Sequence, residues 1–534
     1  MHLRPAIACA SLIAGTLAAL SGTTAQAATT LPHSRLRSSG GTPIEAETSP
    51  AVCTGTIDSD WTGYSGSGFC NGTNASGAYA QFTVNAASAG TATLQVRFAN
   101  GTTTARSADV TVNGSAAGSA SFEATGAWGT WVTRTLTVPV TAGSNTIRFN
   151  PTTSAGLPNI DYVDADVSTA PTGTVLYVSP SGTDGAAGTE SAPTTLTSAI
   201  SRITSGGTIY LRGGTYTYAS TVTIPAGNDG TAAARTTLSA YPGETPVLNF
   251  SAQSESSSNR GIQLNASYWR LYGLTVQHAG DNGIYVGGSN NVVERAVTAY
   301  NRDTGLQLGR ISSSTPSSQW PSNNLIVSSE SHDNADSDGE DADGFAAKLT
   351  TGTGNVFRYD ASHNNIDDGW DLYTKTDTGA IGPVTIENSL SYGNGTLADG
   401  TVNANGDRNG YKLGGDDIAV NHVVRHSIAY KNGHHGFTYN SNPGTMAISN
   451  NVSVDNAERN FSFDAGTSVF RTNTSCRFSV SGSNDKTVGD ADSSNQFWSG
   501  TNGSRCASYS GALGWSYASD GHLVVTFGGT VVTP

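Results

Sequence analysis

The chain has 534 residues, more than one ordinary core can serve, so two or more domains are expected. Only 13% of residues are charged, Gly numbers 64, and no long amphipathic pattern of Leu, Glu and Lys occurs, which points to a β-rich chain with many turns. Recurrent short Val/Ile/Leu/Phe/Tyr runs exclude disorder, and a net charge of −14 argues against a general nucleic-acid binder.

Residues 1–27 read as a secretory signal: Arg4, an apolar stretch over 6–20, then Ala25-Gln26-Ala27 before Ala28. That stretch is too short and too weakly flanked for a membrane span, and no later segment approaches about 18 unbroken apolar residues. A secreted, extracellular protein free of the membrane is therefore expected, with 28–42 as a flexible linker. Of the five cysteines Cys9 falls in the signal; the others form two separated pairs, Cys53/Cys70 and Cys476/Cys506. Four cysteines allow three pairings, and the local ones fit an oxidising compartment with one bridge per module. Neither pair has zinc-site spacing.

Over 43–167 strand-like runs alternate with turns, at 79–84, 92–98, 108–112, 131–138 and 145–149, with Asn113-Gly114 as a hairpin signal. An antiparallel β-sandwich follows. The stretches Ile44-Glu45-Ala46-Glu47, Gly63-Tyr64-Ser65-Gly66-Ser67-Gly68-Phe69, Thr125-Gly126-Ala127-Trp128 and Pro158-Asn159-Ile160-Asp161 resemble carbohydrate-binding modules of families 35 and 6. The resemblance implies a structural calcium on Glu45, Glu47 and Asp161, and a sugar site carried by Tyr64, Trp128 and Asn159. An exposed aromatic ring beside an amide stacks on a sugar face and bonds its hydroxyls; core packing is the competing role for the two rings.

Residues 168–174, with Pro171, read as a linker. From 175 a strand at 176–178, a short helix near 197–203 and a strand at 208–212 suggest a cap on the open end of a solenoid. Then one pattern recurs, a polar pair, Gly, and alternating apolar and polar residues. It appears as Asn282-Gly283-Ile284-Tyr285-Val286, Thr304-Gly305-Leu306-Gln307-Leu308, Asp343-Gly344-Phe345-Ala346-Ala347, Asp368-Gly369-Trp370-Asp371-Leu372, Asn409-Gly410-Tyr411-Lys412-Leu413 and His435-Gly436-Phe437-Thr438-Tyr439, and, with Asn for Gly, as Asn460-Phe461-Ser462-Phe463. Intervals of about 22 to 26 residues, with two near 40 that carry insertions, suit one coil of a parallel β-helix. Runs such as Asn291-Val292-Val293-Glu294 and Asn355-Val356-Phe357-Arg358 supply the other strand of each coil. The fold class is thus all-β: a right-handed parallel β-helix over 175–534 behind an N-terminal antiparallel sandwich.

Coils stack in register, so the repeat maps side-chain direction. Phe345, Trp370, Tyr411 and Phe437 point inward, and Ala346, Asp371, Lys412 and Thr438 outward. Asp371 and Lys412 then stand on neighbouring coils about 4.8 Å apart. Asp343 and Asp368 form a second column, with Asp367 beside it. A single Asp before Gly is often only a turn residue. Four within two coils form a hard-oxygen cluster suited to calcium, which takes about six to eight oxygens. Lysine usage is the second anomaly: only five of 27 basic residues are lysines, none before Lys348, and Lys348, Lys375, Lys412 and Lys431 all fall on or beside the acidic coils. A general base must lose its proton, which arginine does not, so Lys412 is the candidate base once a metal charge and burial lower its pKa from about 10.4. Lys348 and Lys375 are candidate grips on substrate carboxylates. These pieces suggest β-elimination on a uronic-acid polymer.

The stretches Asp343-Gly344-Phe345-Ala346-Ala347-Lys348-Leu349, Asp367-Asp368-Gly369-Trp370-Asp371-Leu372-Tyr373, Gly382-Pro383-Val384-Thr385-Ile386-Glu387-Asn388, Asn409-Gly410-Tyr411-Lys412-Leu413-Gly414-Gly415 and Gly436-Phe437-Thr438-Tyr439-Asn440 resemble polysaccharide lyase family 9, the calcium-dependent pectate lyases. The resemblance implies a catalytic calcium (Ca2+) on Asp343, Asp367, Asp368 and Asp371 and Lys412 as base, acting on pectic polysaccharide; a monomer is expected. The loop through Asn403 and Asp407 is longer than the family pattern, and Arg408 is a further candidate carboxylate binder. Rhamnogalacturonan is the alternative backbone. A β-helix pectin hydrolase would leave the lysine bias without a role, since it needs carboxylates as acid and base; a non-catalytic solenoid leaves the Asp/Lys columns unexplained, and an epimerase differs only in reprotonating C5.

Overall fold

The computed structural model describes residues 43–86, 90–141, 143–169, 173–403 and 405–532. The expected signal and the linker over 28–42 lie outside the described residues, as do 170–172 of the second linker. The chain divides into two compact units, Met1–Ser168 and Thr169–Pro534.

The first unit is a sandwich of a six-stranded and a five-stranded antiparallel sheet. Its strands alternate buried and open positions, as in Ala80–Ala86 and Gly90–Ala99, because a half-buried sheet needs an apolar residue at every second place. Leu94, Val96, Phe82, Phe122 and Phe149 fill the space between the sheets. Asn113 and Gly114 carry φ of 50° and 82° between paired Val112 and Ser115, the left-handed pair that a tight hairpin needs. Cys53 and Cys70 form a disulfide. Six strands escape the sequence pattern, the four short ones over 44–72 and two longer ones. Ser115–Phe122 is built on small residues with little apolar alternation, and Asn159–Thr169 sits mid-sheet where only its first residues had been noticed.

The second unit is a parallel β-helix with three sheets of twelve, ten and ten strands. One coil runs Val384–Glu387, Leu390–Tyr392, Tyr411–Lys412, giving one strand to each sheet. The sequence reading found two strands per coil and missed the middle one. The reason lies at the corner between first and second sheets, where a single left-handed residue turns the chain: Ser328, Tyr359, Asn388, His426 and Asn450, at φ 53°, 58°, 53°, 52° and 55°. A one-residue corner carries no Gly or Pro cluster, so two strands read as one run. The capping helix, Leu196–Arg202, buries Leu196, Ala199 and Ile200, and Thr195 caps it by accepting from Ser198 N at 3.2 Å.

The last coil strand is Asp490–Ala491, so the helix stops well before the chain does. Residues 513–532 instead form a three-stranded antiparallel sheet, which the sequence reading had counted within the β-helix. Its Val525 and Phe527 pack on Leu390, Ile428, Val452 and Val454 from the second sheet. The Cys476–Cys506 disulfide ties the end of that sheet to the segment leading into it.

Inside, rings stack along the axis: Phe345–Trp370, Trp370–Tyr411, Tyr411–Phe437 and Phe437–Phe461 have centroids 5.0, 4.8, 4.6 and 5.1 Å apart. Buried amides form a parallel ladder, in which Asn301, Asn334, Asn365, Asn394 and Asn432 each donate Nδ2 to the Oδ1 of the next, ending on Asn456, at 2.8–3.0 Å. Asn394 also donates to Ser391 Oγ at 3.0 Å, and its Oδ1 accepts from Asn365 N at 3.2 Å. Asn394→Leu removes these bonds and leaves the Asn365 N–H buried without a partner. A loss of about 3 kcal/mol is expected from groups that cost about 1–3 kcal/mol each when unsatisfied, read as a lower denaturation midpoint at unchanged m-value.

Candidate active site

The outer face of the third sheet carries Gln307, Ala346, Asp371, Lys412 and Thr438 in strict register, one per coil. The inward neighbours Phe345, Trp370, Tyr411 and Phe437 are fully buried, as the alternation requires. The recurrent Gly is there for space: a Cβ on Gly344 or Gly369 would meet Ser362 Oγ at 1.9 Å or Ser391 Oγ at 2.1 Å. Those hydroxyls bond the next coil's glycine, Ser362 Oγ to Gly369 O at 3.0 Å and Ser391 Oγ to Gly410 O at 2.9 Å. The residue before each Gly is held the same way. Asp368 N donates to Asp343 Oδ1 at 3.3 Å, Asn409 N to Asp368 Oδ1 at 2.5 Å, His435 N to Asn409 Oδ1 at 3.2 Å, and Arg459 N to His435 Nδ1 at 3.3 Å. Side chains in this column are fixed by backbone.

Asp343, Asp368 and Asp371, all buried, each offer a carboxylate oxygen within 4.8 Å of the others. Asp367 adjoins this trio, its Oδ1 accepting from Asp407 N at 2.6 Å and Arg408 N at 3.2 Å. Two ammonium groups bracket the trio. Lys412 Nζ lies 3.3 Å from Asp368, 3.9 Å from Asp371 and 2.8 Å from Asp407. Lys348 Nζ lies 2.8 Å from Asp343 and 3.5 Å from Asp371. Burial pushes Asp343 up to about 7 against the pull of Lys348, and lifts Asp367 and Asp368 well above the carboxylate range, helped by the neighbouring aspartates. For Lys412 burial works downward, but Asp371, Asp368 and Asp407 outweigh it and hold the proton on more tightly than usual.

The donor set fits a hard divalent cation. It is all oxygen, and Asp368 Oδ2 is buried without a hydrogen bond, with the Lys412 ammonium 3.3 Å away.

The structure therefore gathers the four aspartates and Lys412, and brings Lys348 to the same cluster. Lys348 has a side chain only 8% exposed and sets its ammonium on Asp343 and Asp371. Lys375 is exposed, and it adds a small pull to the lowering of the Asp416 pKa that hydrogen bonds from Thr376 and Tyr373 dominate. Arg408 takes φ 59° and bonds Asp367 through its backbone N. Sequence reasoning treated Asp407 only as part of an insertion, yet it is the carboxylate nearest the Lys412 ammonium, and nothing in the repeat marks it. Beyond Lys412, the His434 and His435 rings stack at 3.8 Å, and His434 Nε2 meets Glu458 Oε2 at 2.9 Å.

In the first unit Ser65 N donates to Asp161 at 3.0 and 3.1 Å, Ser65 Oγ to Glu45 at 2.8 Å and Ser67 N to Glu47 at 2.7 Å, so all three acids meet one loop. Asp161 also pairs with Arg97, and Glu47 Oε2 is buried without a hydrogen bond, an open oxygen that fits a bound cation. Tyr64 leans on Phe69, Trp128 lies half-buried under the Arg106 guanidinium, and Asn159 is buried at the start of its strand.

Residues 176–473 match the family model described as Pel9A-like, right handed beta helix region. The chain belongs to this family. Residues 45–166 match that of the carbohydrate binding module (family 6), which bears out the resemblance read in the first unit. Pectate lyase L of Paenibacillus polymyxa (strain SC2) is 57% identical over 325 residues, 60% of this chain and 72% of that protein. Pectate lyase L of Thermoclostridium stercorarium is 47% identical over 290 residues, 54% of this chain but only 23% of that longer protein. The crystal structure of pectate lyase Pel9A superposes with a TM-score of 0.55 at 30% identity, covering 65% of this chain and 86% of that one. The enzyme class read from the residues, a polysaccharide lyase, holds.

Proposed function

We propose that this polysaccharide lyase cleaves a polygalacturonate-type pectic chain by β-elimination, with Lys412 as the base and Asp343, Asp367, Asp368 and Asp371 holding calcium. The observation that carries this reading is the placement of a buried lysine one coil above an all-oxygen aspartate trio, Asp371 in register with Lys412. Calcium there would neutralise a uronate carboxylate and so acidify the proton on the adjacent C5. Lys412, as the free amine, takes that proton. The electron pair left on C5 forms the C4–C5 double bond, the C4–O bond breaks, and the glycosidic oxygen leaves and takes up a proton. No water is consumed. The rigid strand fixes Nζ, and Asp407, half exposed on its loop, holds the ammonium in place between turnovers.

In the first unit Glu45, Glu47 and Asp161 hold a structural calcium, and Tyr64 and Trp128 offer ring faces to sugar. Export of the chain accords with its two disulfides, and among the described residues no helix is long and apolar enough to cross a membrane. The test is ultraviolet absorbance of a polygalacturonate digest with calcium and with chelator. Absorbance from the unsaturated sugar end, appearing only with calcium, is expected; new reducing ends without it would mean hydrolysis.

A further inference from the structure

Lys348 sits four residues beyond Gly344, just past the strand Phe345–Ala347, and its side chain turns back into the carboxylate trio. Nζ is 2.8 Å from Asp343 Oδ2, 3.5 Å from Asp371 Oδ2 and 3.7 Å from Asp341 Oδ1, and it reaches Asp341 O at 3.4 Å. It therefore bridges two coils, since Asp343 and Asp371 belong to successive third-sheet turns. Lys412 engages the same trio through Asp368 and Asp371. Asp371 Oδ2 is common to both ammonium groups.

Like charges stacked one strand-spacing apart repel, and here the stacking is enforced by the register of the coils. Buried ionised carboxylates need a partner charge. Before any metal arrives, Lys348 is the cation that meets this need for Asp343 and for half of Asp371. We infer that Lys348 is a positioning residue and resident counter-cation, which keeps the aspartates assembled in the metal-free protein and competes with the metal once it binds. The inference rests on the proposed calcium site and assigns Lys348 a role separate from substrate and from the proton transfer.

A cation that opposes metal entry weakens binding, because a unit charge a few ångströms away acts on a divalent ion through a poorly screened interior. Lys348→Met is therefore expected to lower the melting temperature of the chelator-treated protein more than that of the calcium-loaded protein. The gap between the two widens, and calcium titrated calorimetrically into the full chain binds about tenfold more tightly. Lys348→Arg, which keeps the charge, should leave the gap near that of the wild type. Asp341→Asn, at an exposed partner, should leave it unchanged.

Equal lowering of both melting temperatures would make Lys348 a packing residue and overturn the inference, as would a Lys348→Met chain that folds in neither condition. A metal-free variant that is unfolded but recovers with calcium is the expected effect at its extreme. If the wild type itself gains nothing from calcium, the calcium reading fails and this inference with it, an outcome distinct from a wild-type gain that Lys348→Met leaves unaltered. None of these readings uses catalytic turnover.

Discussion

Lys412→Ala is expected to lose about 10³-fold in kcat with little change in KM, the range seen when a positioned general base is removed. Lys412 lies with its side chain only 10% exposed on a two-residue strand, in register between Asp371 and Thr438, and its loss leaves the inward ring stack of these coils in place. Lys412→Arg should not rescue the activity, because a guanidinium keeps its proton. The pH dependence follows from the charges around Nζ. Asp371, Asp368 and Asp407 raise its pKa against the effect of burial, and the reactive form is the deprotonated one. Activity should therefore climb as pH rises toward the alkaline side. Asp407→Asn removes the carboxylate 2.8 Å from Nζ, so the rising limb should move to lower pH. A limb that stays in place would remove Lys412 from the proton transfer.

The placement of Lys412 opposite Asp371 was legible in the sequence because a solenoid converts spacing into geometry: once Gly369 and Gly410 are aligned, so are the residues two places on. The ring stack through Trp370 and Tyr411 followed from the same alternation. What escaped was whatever the period does not encode. Leu390–Tyr392 and its equivalents were hidden by one-residue corners such as Asn388, which the repeat pattern passes over. The amide ladder stood in plain view as an Asn at a fixed place in successive coils, but its hydrogen bonds exist only between coils. Lys348 read as a candidate grip on substrate carboxylates, and its burial was not legible because it depends on a side chain folding back from the end of its strand. Asp407 arrives on an insertion, and an insertion has no register from which to infer a partner.

Asp368→Asn is expected to abolish calcium-dependent cleavage and yet raise the stability of the metal-free protein. Asp368 is fully buried, its Oδ1 fixed by Asn409 N and its Oδ2 without a hydrogen bond. Burial raises its pKa well above the carboxylate range, even with Lys412 at 3.3 Å. Asp343, pushed up to about 7, shares the penalty. In the unfolded chain these groups ionise near their ordinary value of about 3.9. Between that value and the raised folded ones the unfolded state loses protons first, so stability falls as pH rises through this window. Chelator-treated wild type should accordingly melt highest near pH 4 and progressively lower toward pH 7. The Asn side chain keeps the shape and the acceptor for Asn409 N while removing one buried charge. It should flatten that decline and melt above the wild type at neutral pH, and calcium should no longer raise its melting temperature. The site is thus held together at a cost to the metal-free fold, the usual position of a functional cluster of like charges. A variant that melts below the wild type in chelator at pH 7 would show that Asp368 supports the fold through Lys412 instead, and that the aspartate column is not strained without its metal.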